Sequence, residues 1–330
     1  IMKTTMFNNK NSENLKFPNQ CEKIIFKNII ANSKSFREKL RAYLFLHPKI
    51  NKYAYEFVRI KMFHGMSYFT KIILPTKRVL PTFMIPGFPK CGSSSLWYYL
   101  EQHPQLYAPK QKELHFFSYN YGKGLKYYAL NFPTQKYNQN ILSFEASQSY
   151  LHDKFAMVRI KNEMPKMKFI VLLRNPVQKT ISLYNSLKSK KLEMDSLDEC
   201  INNEDERLRI WTKRLEYGMI KPYTYGICLP YLHLATYVKH IKNALKLFPR
   251  NQFLFLDTNE LKNSPHTVNT KCFKFLGLSD MPIDVTEQNT GNYSFDVLKE
   301  ATTESPFLAK YFRSFNKQLE ELIGMQFNWK

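Results

Sequence analysis

Anion binding is the first chemistry that the residue types suggest, in the stretch TFMIPGFPKCGSSSLWYYL at residues 82–100. An apolar start that favours a buried strand leads through a Pro- and Gly-rich turn to an apolar run with helical spacing. At such a helix start the backbone N–H groups are unpaired and the dipole is positive, which attracts phosphate. Lys90 adds a full charge, Gly92 permits close backbone approach, and serines at 93–95 add donors. The alternative is a plain serine-capped turn, and the order of Lys90 and Gly92 excludes a Walker A loop.

A second stretch repeats this layout. Residues 168–173, KFIVLL, form a continuous apolar run, which is typical of a parallel strand buried on both faces. Arg174 follows it, and Ser182 lies eight residues later in a run with helical spacing. Because an open parallel sheet binds ligands at the carboxyl ends of its strands, we predict that the two loops hold the two phosphate ends of one ligand. The alternative for Arg174 is a surface cation at a helix start.

Charged side chains cluster directly beside aromatic residues in the segment KELHFF, residues 112–117. Glu113 and His115 in this cluster are therefore candidate site residues. The alternatives are a surface ion pair for Glu113 and a satisfied core position for His115.

The elements that must position these residues predict an α/β fold. We expect a central, mainly parallel sheet of about four or five strands with helices on both faces and a P-loop-like phosphate loop. The apolar runs place four strands at residues 83–85, 141–145, 168–173 and 253–256, and helices at 229–248, 257–276 and 308–323. Residues 190–220 are charged and are predicted to form a mostly helical surface insertion.

The chain divides at residue 81 into a basic helical N-terminal extension, residues 1–81, and a main domain, residues 82–330. The extension carries 16 Lys and Arg against 4 Asp and Glu, a net charge of +12. Its apolar residues recur at helical spacing, which predicts amphipathic helices. These helices could cover the core, bind a polyanion or lie on a membrane surface.

Composition limits the class of protein. With 330 residues, 44% of them hydrophobic and 15% aromatic, the chain is globular and not intrinsically disordered. A net charge of +22 favours nucleic acid, an anionic membrane or an acidic polysaccharide as partner, with compositional drift as the alternative. No apolar run reaches the length of a membrane span, although an N-terminal anchor could have been removed. The five cysteines contain no C-x-x-C pair, which argues against a zinc site.

Three motifs together resemble one family. FPKCGSSSL resembles the 5′-phosphosulfate loop of sulfotransferases that use 3′-phosphoadenosine 5′-phosphosulfate (PAPS), and FIVLLRNPVQKTISLY resembles their 3′-phosphate motif. KELHFF resembles the acidic segment of heparan sulfate glucosaminyl 3-O-sulfotransferases and related Golgi carbohydrate sulfotransferases, among them those acting on GalNAc sulfate. The similarity runs from about Phe83 to the end of the chain, so the main domain is expected to be a sulfotransferase domain.

The resemblance implies roles for individual residues. Lys90 would contact the bridging and sulfuryl oxygens, Glu113 would be the general base, and His115 would lie beside it. The remaining candidates would bind the donor PAPS or its product, adenosine 3′,5′-bisphosphate: Cys91, Gly92, Ser93, Ser94 and Ser95 at the 5′ end, Arg174 and Ser182 at the 3′-phosphate, and Tyr293 at the adenine. No metal is implied.

The resemblance also implies a hydroxyl acceptor, an acidic carbohydrate, and a place in the Golgi lumen, with the cytoplasm as the alternative. No nucleic acid partner is expected. Sulfation of a small molecule or lipid, or a non-catalytic protein that binds polyanions, are the competing functions. Two departures from the family stand out: Ala146 replaces a basic residue, and TGNYS at 290–294 replaces a Lys-Gly-Arg loop.

Overall fold

The computed structural model describes residues 78–134, 140–216, 226–285 and 306–329. The predictions for most of the N-terminal extension, and for Tyr293, lie outside these residues. The described part of the chain contains no helix long and apolar enough to cross a membrane.

A five-stranded parallel sheet forms the centre, as predicted. Its strands lie in the order β2-β3-β1-β4-β5, and every pairing between neighbours is parallel. The strands are β1 (Pro81–Ile85), β2 (Leu106–Tyr107), β3 (Leu142–Ala146), β4 (Lys168–Leu173) and β5 (Phe253–Asp257). Only β2 had no predicted counterpart, because two residues are too few to produce a periodic signal.

The strand order creates one favoured ligand position. From β1 the chain passes over to the edge strand β2 and then returns to β3 on the same side, whereas from β4 it moves to β5 on the other side. The loops that follow β1 and β4 therefore diverge and leave a crevice between them, as at the switch point of other open α/β sheets. These are the two loops that the sequence predicts to bind anions.

Helices flank the sheet and connect its strands. They are α1 (Ser93–Glu101), α2 (Leu125–Ala129), α3 (Ala156–Glu163), α4 (Pro176–Ser189), α5 (Leu197–Asn202), α6 (Glu204–Glu216), α7 (Tyr231–Ala235), α8 (Tyr237–Leu247), α9 (Thr258–Asn263), α10 (Pro265–Leu276) and α11 (Pro306–Ile323). Short π and 3₁₀ turns cover Phe116–Asn120, Tyr121–Lys123 and Arg250–Gln252. All five residues from Phe169 to Leu173 are fully buried, which explains the unbroken apolar pattern of β4.

Two predicted helices are each divided in two. The run 229–248 is interrupted at Thr236, whose ψ of 72° is not helical. The run 257–276 is interrupted at Ser264, because Pro265 lacks an N–H and disfavours the helical conformation in the preceding residue.

The described part of the charged segment, residues 190–216, is mostly helical as predicted, but it is not only a surface insertion. The Arg207 side chain is 1% exposed and forms ion pairs with Glu193 at 2.8 Å and Asp195 at 2.6 Å. Trp211 and Arg214 are also buried. A charge-based prediction fails here because a long cation can be buried when carboxylates pair with it.

Candidate active site

The loops after β1 and β4 meet at the carboxyl edge of the sheet. The Arg174 guanidinium donates a hydrogen bond to the Lys90 carbonyl oxygen at 3.2 Å. Tyr237 connects the same two loops, since its hydroxyl donates to the Arg174 carbonyl at 3.0 Å and lies 3.5 Å from the Cys91 sulfur. The two predicted anion sites are therefore adjacent, as one ligand with two phosphate ends requires.

The loop after β1 ends in the N-terminus of α1. Gly92 precedes the helix with φ of 86°, a left-handed conformation that glycine adopts without steric cost. Ser93, Ser94 and Ser95 form the first turn, where backbone N–H groups have no partner within the helix. The loop is held from the β5 side, because the Thr258 hydroxyl donates to the Cys91 carbonyl at 2.8 Å.

Cys91 can offer a ligand only its backbone. Its side chain is fully buried, and burial raises the pKa of the thiol, which points to the Tyr237 hydroxyl. The side chain therefore fills space beneath the loop, and the thiol does not line the anion site.

The loop after β4 ends in the N-terminus of α4. The Asn175 side chain caps this helix by accepting hydrogen bonds from the N–H groups of Val177 at 2.9 Å and Gln178 at 3.4 Å. Gln178 and Ser182 lie four residues apart on one side of this helix, and Arg174, which precedes the helix, places its Nε 3.5 Å from the Gln178 amide oxygen. Gln178 was not predicted, although the same spacing connects it to both neighbours.

Glu113 and His115 form a hydrogen-bonded pair. The Glu113 carboxylate lies 3.1 Å from His115 Nε2 and accepts a hydrogen bond from Gln148 Nε2 at 2.9 Å. His115 Nδ1 lies 2.8 Å from the Ser149 hydroxyl. An ionised carboxylate only accepts hydrogen bonds, so Nε2 carries the proton in the neutral ring and Nδ1 accepts from Ser149. Both hydrogen bonds hold the Glu113 carboxylate in position.

A buried carboxylate supports this pair from below. Glu145 is fully buried in β3 and accepts hydrogen bonds from Tyr128 and Tyr150, each at 2.8 Å, and from Ser147 at 3.1 Å. The Ser147 hydroxyl in turn accepts from the His115 backbone N–H at 3.0 Å. Burial raises the pKa of Glu145 to about 7, against the lowering effect of Tyr128, Tyr150 and Ser147.

Backbone strain coincides with the predicted catalytic residues. Lys90 has φ of 66°, Glu113 of 62° and His115 of 48°, all in the left-handed region that side-chain-bearing residues rarely occupy. In the described part of the chain only Lys191 and Cys228 share this feature among non-glycine residues. Such conformations cost about 1–3 kcal/mol each and collect where a site dictates side-chain direction.

Lys112 also lies in the site, although no role was predicted for it. Its Nζ donates to the Ser94 hydroxyl at 2.6 Å and to the Ser93 hydroxyl at 3.4 Å. Burial lowers the pKa of this ammonium group, and the charge of Glu113 opposes that effect. No sequence pattern distinguishes it from Lys110, whose side chain is exposed.

Lys179 is a second buried cation near the site. Its side chain is fully buried in α4, and its Nζ has no hydrogen-bond partner in the part of the chain that the structure describes. Burial lowers its pKa to about 8, while interactions with Cys91 and Glu204 act in the opposite direction.

A cavity of about 610 Å³ opens beside the start of α4. Asn175 and Val177 line one side, and α11 with the segment that follows it lines the other. In that segment Phe327 and Trp329 stack with ring centroids 3.9 Å apart, and the Trp329 ring lies 6.2 Å from that of Tyr237. The cavity therefore adjoins the Arg174 end of the site.

Comparison with known proteins identifies the family. The family described as "Sulfotransferase domain" matches residues 80–317, which is more than half of the chain. The chain belongs to the sulfotransferase family. The resemblance seen in the three motifs is thereby confirmed.

The sulfotransferase has relatives with named functions. It is 27% identical over 226 residues to the bifunctional heparan sulfate N-deacetylase/N-sulfotransferase 1 of Caenorhabditis briggsae, over 63% of this chain and 24% of the relative. It is 26% identical to the mouse heparan sulfate glucosamine 3-O-sulfotransferase 6, over 77% of this chain and 75% of the relative. The chain thus spans only about a quarter of the length of the bifunctional relatives it matches.

A solved structure supports the same fold. The sulfotransferase of Alicyclobacillus acidocaldarius is 28% identical, with a TM-score of 0.59 over 75% of this chain and 97% of that chain.

The structure brings most of the predicted site residues together. The two adjacent loops and their helices contain Lys90, Ser93–Ser95, Arg174 and Ser182. Beside them, Glu113 and His115 are attached to the carboxyl end of neighbouring β3.

Proposed function

We propose that this sulfotransferase moves a sulfuryl group from PAPS to a hydroxyl group of an acidic carbohydrate. The observation that carries the proposal is the contact between Arg174 and the Lys90 carbonyl, which makes the two anion sites continuous. A donor with a 3′-phosphate and a 5′-phosphosulfate has its anionic groups at two such ends.

The residues present fit this donor. The first turn of α1 offers backbone N–H groups and the hydroxyls of Ser93, Ser94 and Ser95 to the 5′-phosphosulfate. Arg174, just before α4, offers a planar cation to the 3′-phosphate, and Ser182 in the second turn of that helix is the other candidate for it. PAPS itself supplies the activated sulfuryl group.

In the proposed reaction the acceptor oxygen attacks sulfur in line with the bond that breaks. The S–O bond to the 5′-phosphate breaks, its electron pair stays on the phosphate oxygen, and Lys90 with the α1 N-terminus stabilises the developing charge. Glu113 takes the proton of the acceptor hydroxyl. Gln148 and His115 hold that carboxylate in position.

The cavity beside Asn175 and Val177 offers a place for the adenosine of the donor. Its volume of about 610 Å³ lies within the usual range of ligand pockets, about 300–1,000 Å³. The stacked pair Phe327 and Trp329 provides an aromatic surface on which a purine can lie. Tyr293 remains a second candidate for the adenine contact.

The acceptor class rests on charge and on the relatives. A chain with a net charge of +22 attracts polyanions. The names of its relatives include one acidic glycan, heparan sulfate. A glycan acceptor agrees with a place in the Golgi lumen. Small molecules and lipids with a hydroxyl group are the competing acceptors.

Transfer of radiolabelled sulfate from PAPS tests the proposal. The acceptor panel contains heparan sulfate chains with and without N-sulfate groups, a neutral glycan, phenols and long-chain alcohols. We expect incorporation into an acidic glycan. Labelling of phenols or alcohols alone would replace the acceptor class, and no transfer to any acceptor would refute the enzymatic function.

Glu113→Gln tests the assigned base. Because glutamine keeps the shape but cannot accept the proton, kcat should fall by about 10²–10⁴-fold. Binding of adenosine 3′,5′-bisphosphate, measured by titration calorimetry, should change little. The matched control is Glu163→Gln, which alters an exposed glutamate on α3 and should leave kcat unchanged. Unchanged turnover in Glu113→Gln would remove Glu113 as the base.

A further inference from the structure

We propose that Lys112 is a second cation of the site, which binds the sulfuryl group during its transfer. This inference rests on the proposed function and adds a catalytic residue that the motifs do not assign. Its basis is position, because the Lys112 ammonium donates to Ser94 at 2.6 Å and to Ser93 at 3.4 Å. Both hydroxyls belong to the helix start that the 5′-phosphosulfate would approach.

The backbone around Lys112 fixes this position. The next residue, Glu113, donates its N–H to the Ala146 carbonyl at 3.0 Å, which attaches the segment to the carboxyl end of β3. From there the Lys112 side chain crosses to the first turn of α1. Ala146 brings no charge to this part of the site, so Lys112 is the cation that the segment provides between β3 and α1.

The hydrogen bonds of Lys112 suit a transferable anion. Its partners are two neutral hydroxyls, and an ammonium group that donates to a hydroxyl oxygen leaves the hydroxyl hydrogen directed elsewhere. A lysine ammonium has three N–H donors, so Lys112 can donate to a sulfuryl oxygen as well as to the two serines, while Ser93 and Ser94 donate their own hydroxyl hydrogens to other sulfuryl oxygens. The half-buried ammonium lies in a region where charges are weakly screened.

Lys112 and Lys90 would then have separate tasks. As the S–O bond to the 5′-phosphate breaks, the electron pair moves to the phosphate oxygen, whose charge Lys90 would stabilise. The sulfuryl group passes to the acceptor oxygen, whose proton goes to Glu113. Lys112, adjacent to Glu113 in the chain, stabilises the three sulfuryl oxygens throughout this passage.

A purely structural role is the competing explanation, in which Lys112 only holds the serine turn in place. Glutamine distinguishes the two, because its amide can still donate hydrogen bonds to the serines but carries no charge. The test therefore compares Lys112→Gln and Lys112→Arg with the matched control Lys110→Gln. Lys110 lies in the same segment and is exposed, so its substitution removes the same charge from outside the site.

Two measurements are made on each variant of the full chain. The first is kcat and KM for sulfate transfer from PAPS. The second is the Kd for adenosine 3′,5′-bisphosphate, which lacks the sulfuryl group. We expect Lys112→Gln to lower kcat by about 10²–10³-fold, as for removal of one transition-state donor, with the Kd of the bisphosphate nearly unchanged. Lys112→Arg should recover part of kcat, and Lys110→Gln should match the wild type.

The outcomes separate this inference from the proposed function. Wild-type kcat in Lys112→Gln, or a loss of bisphosphate affinity as large as the loss of kcat, would overturn the assignment of Lys112 to the sulfuryl group. A wild-type protein that neither binds the bisphosphate nor transfers sulfate would overturn the proposed function, and this inference with it. If the thermal unfolding midpoints of Lys112→Gln and Lys112→Arg equal that of Lys110→Gln, the two Lys112 variants fold normally.

Discussion

Substituting Glu145 with glutamine should change how the stability of this protein depends on pH. The Glu145 carboxyl is fully buried in β3, and burial raises its pKa from 4.5 to about 7 despite three hydrogen bonds that favour the ionised form. The folded protein therefore retains a proton that the unfolded chain has already released over this interval. Glutamine keeps the shape and cannot ionise.

The sign and size follow from linkage. Because the folded state binds more protons than the unfolded state between pH 4.5 and about 7, the free energy of unfolding of the wild type falls as pH rises through this window. At about 1.4 kcal/mol for each pH unit, this carboxyl accounts for a loss of about 3 kcal/mol. The contribution is fully present below pH 4.5 and absent above about pH 7.

The assay is urea unfolding of wild type and Glu145→Gln at steps from pH 4.5 to about pH 8. The difference in free energy of unfolding, variant minus wild type, should grow with pH by about 3 kcal/mol, since groups common to both proteins cancel. The exposed control Glu163→Gln should run parallel to the wild type. A constant difference between Glu145→Gln and wild type across the pH range would refute the reasoning that burial keeps this carboxyl protonated.

Two further predictions concern Lys179 and Trp329. Lys179→Met should raise the free energy of unfolding near pH 7, because it removes a buried ammonium whose pKa burial lowers from 10.5 to about 8. Between about pH 8 and 10.5 the folded wild type binds fewer protons than the unfolded chain, so the free energy of unfolding of the wild type rises with pH. The amount by which the variant is more stable than the wild type should therefore shrink over this range. Denaturation curves at pH 7 and 10 check this, and an advantage that grew with pH would contradict it. Trp329→Ala should weaken bisphosphate binding by about 1–3 kcal/mol, because the variant loses a stacking surface. Calorimetry measures this against the control Phe307→Ala, which alters an exposed residue of α11. Equal affinities in the two variants would remove Trp329 from the site.

Local sequence determined the sheet and its two anion loops. The apolar runs of β1, β4 and β5 are continuous because both faces of each strand are covered, and this signal needs no knowledge of the rest of the chain. Lys90 and Arg174 were found for a related reason, since each lies in the loop that joins such a strand to a helical run. Strand, loop and helix are neighbours in the sequence, so the spacing of residues is sufficient to place them.

Other features of the site depend on contacts between residues that are far apart in the sequence. Gln148 donates to Glu113 across 35 positions, and the Arg174 contact with Lys90 spans 84. The spacing of neighbouring residues in the sequence predicts neither contact. Both form because the parallel sheet brings the carboxyl ends of β3, β1 and β4 to one edge. The prediction of a surface segment was wrong at the buried Arg207 for the same reason, since its partner Glu193 lies in the segment before α5.

The sequence by itself therefore specified an α/β sulfotransferase with two phosphate loops and a candidate base. Only the tertiary structure decided which lysine of residues 110–112 donates to the serine turn, which carboxyl is buried with a raised pKa, and which cavity adjoins the start of α4. The physical reason is that charge and hydrogen bonding act through space, and a residue type carries no information about its exposure until the chain has folded around it.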